Sequence, residues 1–578
     1  MRSGVRRSFP TALSLLFATC IIVLAAPHAA AAGSEDREAL IATLDGASLE
    51  DLLATAGFLS LAQQGGAGLM VTTGSLDELH DRLSASGGMP AGVRPVDLGH
   101  VSNRGEVSSD GLAAAVEALA IALEESNASD ELVLLASSGA AAGDDLGAVV
   151  MASGSPSALA AALRAEPTTH PVDTVTSDST RRDGVVTSDD VVYTATVFAA
   201  PTAETDLDGA QIRIVDGPPP IDLHDRYIQA KRLTVPIGVA AAVYVGLASV
   251  IAIIALWRPD VSPRHRRFCA SLAISVPFVA LSLLLVGHLP SLTYATVILF
   301  VVATTAIATL VLVPAARRWG TLGAIATAGV ILLVVLAIEG VLGWPAALTP
   351  LLGGSQLDGG RFFGLPNAFI GLLMGGSLYV AQRLPRTAGT VLIAAAGLFA
   401  GSPWTGSNAG AAVTLFAAAG IWWGLRGELL WWRTAIAAVA AIAAGTILVV
   451  VAHRYLTSAA THITTFSEHT GGITALWEKF VDRLSVGFDL IADNPFAILP
   501  VIGVLVMLVV VLRPPGAIRR SFEEAPVWRL ALLTIVLGSV VAYLVNDSGA
   551  AAVGEGLTTS LAGMLYVSLR LSDDMMTT

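Results

Sequence analysis

The chain has 578 residues, 54% of them hydrophobic and 14% charged, with a mean hydropathy of +0.69. A charge fraction so low excludes an ordinary soluble protein and places a large part of the chain in a membrane. The net charge of −13 is uneven. Between Gly33 and Ala230 stand 31 acidic and 9 basic residues, so the remainder is net positive, and so acidic a segment excludes nucleic acid as a partner.

Arg2, Arg6 and Arg7 precede the apolar run Ala12–Ala26 and the small-residue stretch to Gly33. This pattern predicts a signal peptide over 1–32, cleaved near Ala31–Ala32. An uncleaved first membrane helix is the alternative, and either one sends residue 33 onward to the outside. The two cysteines are Cys20, in this leader, and Cys269, in a hydrophobic helix. The exported segment therefore has no disulfide, although its compartment permits one.

Residues 33–216 read as an exported α/β domain. Strands are expected at Ala39–Leu44, Ala67–Thr73, Glu131–Ala136 and Gly147–Ala152, and helices at Leu49–Gln64, Gly111–Glu125 and Ala158–Ala165. Their alternation predicts a parallel sheet with helices on its faces. Thr168–Asp183 is polar and loop-like. A linker follows over 217–232, with Gly217-Pro-Pro-Pro220 as its hinge.

From 233 to 572, apolar runs long enough to cross a bilayer recur near 235–257, 268–287, 291–313, 321–342, 366–382, 388–402, 410–425, 434–452, 496–512, 527–545 and 551–570, about eleven in all. Arginines in alternate short loops, such as Arg264, Arg317, Arg383, Arg426 and Arg519, mark the cytoplasmic side. The tail 573–578 is then cytoplasmic. The loop Thr349–Asn367, the turn Ser402–Asn408, the segment 453–494 and the stretch Asn546–Gly549 all fall outside.

Those outer elements hold the candidate site. Arg361 leads, as a permanent cation that can grip a phosphate bidentately, flanked by Asp358, Gly359, Gly360 and Gly364. Asn367 opens a helix and suits a cap or a sugar hydroxyl. Asn408 sits on a Gly-rich turn. Asn546, Asp547 and Ser548 form the last knot, with Asp547 placed to pair with Arg361 or to act as a base. Glu339, near the outer end of its helix, is a second partner for Arg361. Within 453–494, apolar residues from Ile473 to Ile491 recur at helical spacing with Glu478, Lys479, Asp482 and Arg483 between them, an amphipathic helix in the interface. His462 and His469 are the histidines available there for proton transfer.

Three resemblances follow from these residues. Leu44-Asp-Gly46, Gln64-Gly-Gly-Ala-Gly-Leu-Met70 and Arg181-Arg-Asp-Gly-Val-Val186 with Asp190 and Thr196 resemble core segments of the alkaline-phosphatase superfamily. That likeness implies a metal-binding role for Asp45 and a nucleophile at Thr72 or Thr73. The family's Asp-His-Gly motif is missing, and His80, His100 and His170 lack cluster spacing, so a shortened, metal-free relative is expected. Gly360–Leu373, Thr405–Ala411 and Arg483–Pro495 resemble the O-antigen ligases and related lipid-linked glycan polymerases. That likeness implies phosphate contacts at Arg361 and Arg483 and a polyprenyl-pyrophosphate-linked glycan as substrate; Asn408 stands where that family has arginine. The whole chain resembles a Gram-positive, including actinobacterial, family of membrane proteins, which implies no activity.

The expectation is therefore a shortened, phosphatase-like α/β exported domain followed by a polytopic all-α membrane domain in the cell membrane. Arg361 and Asp547 are the catalytic candidates; Asp358, Asn367, Asn408, Arg483, Asn546 and Ser548 are the binding candidates. No metal or cofactor is expected. The partners expected are membrane lipids, the lipid-linked glycan and an envelope enzyme docking on the exported domain. A ligase-like transferase, a transporter or flippase, and a non-catalytic scaffold all remain open.

Overall fold

The computed structural model describes residues 37–45, 47–71, 93–103, 106–138, 146–168, 170–201, 209–216, 220–258, 260–352, 355–358, 363–456, 498–546 and 549–576. The leader, most of the amphipathic segment and Arg361, Arg483, Asp547 and Ser548 lie outside these residues.

The first domain is a mixed α/β sheet. Its strands are β1 (Arg37–Asp45), β2 (Gly66–Val71), β3 (Val93–His100), β4 (Asp130–Ser137), β5 (Leu146–Gly154), β6 (Asp173–Ser177), β7 (Val185–Thr187) and β8 (Ile212–Val215). They lie in the order β8-β6-β2-β5-β4-β1-β3, with β7 beside β2. β1 is parallel to β3 and β4, and β2 to β6 and β7. β5 runs antiparallel to both β4 and β2, and β8 antiparallel to β6. The purely parallel sheet expected from strand–helix alternation is thus corrected. β4 ends at Ser137 and β5 begins at Leu146, a connection shorter than the dozen or so residues that a parallel crossover needs.

Alternation along β1 splits the core. Leu40, Ala42 and Leu44 face the helices Leu49–Ala54, Ala56–Gln63, Ser109–Glu124 and Pro156–Leu163. Ala39 and Ile41 face the helix Ser188–Ala199. Local caps fix these helices: Ser48 with Asp51 and Thr187 with Asp190 form capping boxes, and Ser155 precedes Pro156 at a helix start. The expected single helix Leu49–Gln64 is two, broken at Thr55, which is extended. β6 lies inside the stretch read as loop; Thr174, Thr176 and Ser177 are polar yet buried.

The second domain is helical. Residues 220–232 of the stretch read as a linker form the first turns of α6 (Pro220–Trp257), which runs on into the bundle, while 217–219 lie outside the described residues. Then come α7 (Pro263–Leu285), α8 (Tyr294–Val341), α9 (Ile370–Ala381), α10 (Arg386–Gly401), α11 (Ala409–Arg426), α12 (Trp431–Leu456), α13 (Ile498–Leu512), α14 (Gly516–Glu524), α15 (Pro526–Val545) and α16 (Gly549–Met576), with the sheet domain's helices counted as α1 to α5 in chain order. Among the described residues six helices are long and apolar enough to cross a membrane, or seven if α13 and α14, bent by 64°, form one span. That is below the expected eleven. α9 and α10 are short apolar helices, and α8 is two helices meeting at Gly320, φ 75°, as expected from the pair 291–313 and 321–342.

Val235, Val239, Val243, Leu247, Val250 and Ile254 of α6 are all exposed. So long an apolar stripe facing outward fits a lipid-facing surface, and the helices are compatible with a multi-pass membrane protein. The two domains share a core: Tyr227 of α6 and Leu357 are buried among the sheet domain's apolar residues.

Candidate functional site

Three of the asparagines singled out in the sequence lie at the end of the helical bundle that carries the sheet domain. Asn408 caps α11, its Oδ1 accepting from Ala411 N at 2.9 Å. Its Nδ2 donates to Leu365 O at 2.9 Å and to Asn367 Oδ1 at 2.8 Å. Asn408 is fully buried. Asn546 ends α15, where its Nδ2 donates to Ala542 O at 2.9 Å and Thr414 Oγ1 at 3.4 Å. The Asn546 Oδ1 lies where a Cβ on Gly410 would stand, so it packs beside the helix that Asn408 opens. Gly364, φ 99°, passes so close to Gly406 that a side chain there would overlap the Gly406 carbonyl. Leu365 N donates to that carbonyl at 3.2 Å.

The sheet domain enters this region through the turn after β6. Arg182 is buried; it donates to Trp344 O at 3.1 Å and to Gln356 Oε1, and Gln356 Nε2 donates to Gly364 O at 2.8 Å. Arg181 donates to Pro403 O and lies over the Phe363 ring, 4.9 Å from its centroid. Burial pushes the Arg181 guanidinium below the usual arginine range. It pushes Arg182 down to about 10, opposed by the charges of Glu339 and Asp183. Arg181, Trp344, Ser407 and Glu428 are the non-glycine residues with positive φ among those described. Arg181, Trp344 and Ser407 meet at this junction, and strained backbone of this kind concentrates at functional sites.

Sequence reasoning missed Arg181 and Arg182 as junction residues. The signal available was a pair of adjacent arginines in a domain with few basic residues. Glu339, expected as a partner of Arg361, is buried against His288, whose Nε2 lies 2.5 Å from its Oε1. Glu555 was also missed. It lies inside the apolar run of α16 with Oε2 buried and lacking a hydrogen-bond partner among the described residues. An acid within such a run is itself the signal.

In the sheet domain, a bulge in the β1–β3 pairing sets Asp45 opposite His100. Asp45 Oδ2 is 2.5 Å from His100 Nδ1, and Ser138 donates to its Oδ1. Asp45 thus ties together the ends of three strands. Asp190 is buried and accepts from Ser177 Oγ, Ser179 Oγ, Thr187 N and Ala210 N at 2.6–2.8 Å; four donors make it structural. Among the described residues no three of His, Cys, Asp and Glu converge to hold a metal ion.

Of the other candidates, Asp358 closes the turn Gln356–Asp358. The described part of the site gathers buried amides, backbone carbonyls and two guanidinium groups, with Asn408, Asn546 and Arg182 engaged within the protein. Compared with known proteins, the chain matches no family model, no curated protein and no solved structure.

Proposed function

We propose that the chain is a multi-pass cell-envelope protein that handles a polyprenyl- or lipid-linked glycan at its extracytoplasmic face, as a ligase- or polymerase-like glycosyltransferase. The observation that supports this reading is the gathering of Asn367, Asn408 and Asn546 at the end of the bundle against which Arg181 and Arg182 dock. A signal peptide would export the sheet domain and with it that end of the bundle. Amides select sugar hydroxyls, and guanidinium groups select the carrier's phosphates. On this reading α8 crosses twice, since each of the two helices that meet at Gly320 is about 30–40 Å long at 1.5 Å per residue, enough for the hydrocarbon thickness of ~30 Å. With α9, α10 and α16 as further crossings, the count returns to about eleven.

Lipid extracts from a deletion strain and an Arg361→Ala strain, analysed by mass spectrometry, test the function. Accumulation of a lipid-linked glycan supports it, and unchanged envelope glycans in both strains reject it. A membrane-impermeant thiol reagent should label cysteines at 361 and 547 but not at 317 or 426. The reverse pattern would place the site in the cytoplasm.

Glu555 favours a second reading, a transporter or flippase. A buried acid within an apolar helix is a feature of ion and substrate paths, and the breaks at Gly320 and between α13 and α14 add discontinuous helices. Lipid flipping in proteoliposomes that fails with Glu555→Gln, without accumulation of glycan carrier in Arg361→Ala cells, selects it.

A further inference from the structure

Arg181 and Arg182 dock side by side but are engaged differently. Arg182 is enclosed by Trp344 O and Gln356. The guanidinium of Arg181 has five N–H donors, and Pro403 O takes its hydrogen bond. Among the described residues no carboxylate stands in ion-pair contact with Arg181; Asp178 acts on it from a distance. Its backbone is held in the left-handed region, φ 52°, a conformation unfavourable to a side chain and maintained here by the surrounding contacts. One aromatic ring packs on it and a second follows its hydrogen-bond acceptor in sequence. Phe363 lies under the guanidinium, and Trp404, next to the carbonyl that Arg181 holds, is 53% exposed.

We infer that Arg181, Phe363 and Trp404 form a phosphate-binding subsite assembled from both domains, whose ligand is a phosphate or pyrophosphate ester on an amphiphilic alcohol. A guanidinium with no carboxylate in ion-pair contact among the described residues selects the anion. The exposed indole offers a face to a sugar ring or an isoprenoid chain, and the apolar helices below continue into the region an alkyl chain occupies. The inference rests on the glycan-carrier reading and deepens it: the sheet domain itself supplies a cation to the carrier's phosphates. A phospholipid headgroup carries the same anion, so the two sources are separated by experiment.

The test uses the full-length protein in phosphatidylcholine nanodiscs with geranylgeranyl pyrophosphate as probe. Wild type should bind it, and geranylgeraniol should not compete. Arg181→Ala should weaken binding about tenfold or more, the loss of a charge-assisted hydrogen bond. Arg181→Lys should fall between, keeping the charge without the planar fork. If Arg181→Ala fails to fold, Arg181→Gln, which retains an N–H for Pro403 O, decides instead. Competition by phosphatidylglycerol equal to that by the pyrophosphate probe would assign the subsite to headgroups and overturn the carrier assignment. Equal probe affinity in wild type and Arg181→Gln overturns the subsite while leaving the glycan-carrier reading intact if Arg361→Ala abolishes binding. No binding by folded wild type rejects both.

Discussion

Asn408 donates from Nδ2 to Oδ1 of Asn367 at 2.8 Å, joining two helix starts 41 residues apart. The same side chain caps α11 and holds Leu365 O. Asn408→Ala removes the cap and strands a buried acceptor, so it should cost about 2–4 kcal/mol. Asn408→Ser restores an acceptor for the cap but cannot reach Asn367, and should recover about 1 kcal/mol. Thermal unfolding of the detergent-solubilised protein checks both; an unchanged midpoint in Asn408→Ala would refute the assignment.

Gly364→Ala should be among the most damaging single changes outside the core. It combines a positive φ with overlap against backbone rather than a movable side chain. The expected result is loss of folded protein from membranes, measured by size-exclusion of a fluorescent fusion. Normal yield and a normal melting point would show that the Gly364–Gly406 crossing can open.

Arg182→Gln should loosen the junction by about 1.5–3 kcal/mol, the range for a hydrogen bond to a charged group, while leaving the sheet itself intact. Hydrogen exchange is the discriminating measurement. Exchange should speed up in residues 343–358 and 363–365 and stay slow in β1 and β4. Uniformly faster exchange would mean that Arg182 supports the sheet rather than the docking.

Glu131 is buried in β4 and paired with Arg94 at 3.2 Å. Burial raises its pKa, against the lowering effects of Ser126 and Arg94. A carboxyl with a folded pKa above its unfolded value binds more protons when folded, so its contribution falls as pH rises through that interval. Glu131→Gln should therefore flatten the loss of stability above about pH 4.5, the unfolded carboxyl value. Melts of both proteins between pH 4 and pH 8, on the order of a unit apart, read the difference; parallel curves would contradict it.

Glu555→Gln keeps the side chain's shape and removes its capacity for charge in an apolar helix. It should raise the melting temperature, since a carboxyl that can ionise in an apolar interior is costly. Retained function in that variant would make Glu555 structural and weaken the transporter reading.

The sequence carried the individual elements well where a segment's own pattern decides its form. Apolar runs marked the helices from α6 to α16 except α14, whose Gly516–Glu524 is rich in charge, and apolar clusters marked β1, β4 and β5. What it could not show were partnerships across sequence distance. β6 was read as loop because Thr174, Thr176 and Ser177 are polar, yet tertiary hydrogen bonds such as Ser177 Oγ to Asp190 satisfy them. The antiparallel insertion of β5 depends on where the chain returns, which period-two alternation does not encode. Of the candidate site, Asn367, Asn408 and Asn546 were legible as polar interruptions in apolar sequence. Glu339 was legible as unusual, but His288 was not legible beside it, because the two become neighbours only when α7 packs against α8. Arg181 and Arg182 were visible only as part of a motif, since the groups they dock on, in Trp344, Gln356 and Pro403, lie 162 to 222 residues later.

The continuity of α6 has a mechanical consequence. A helix of 38 residues is about 57 Å long, and it joins the sheet domain to the bundle as a strut rather than a tether. The upper module cannot swivel independently on its stalk. A force on the sheet must tilt this strut, or flex it at Pro236, where the ring removes a backbone hydrogen bond. A load on the sheet domain would then reach the bundle as a change of helix angle.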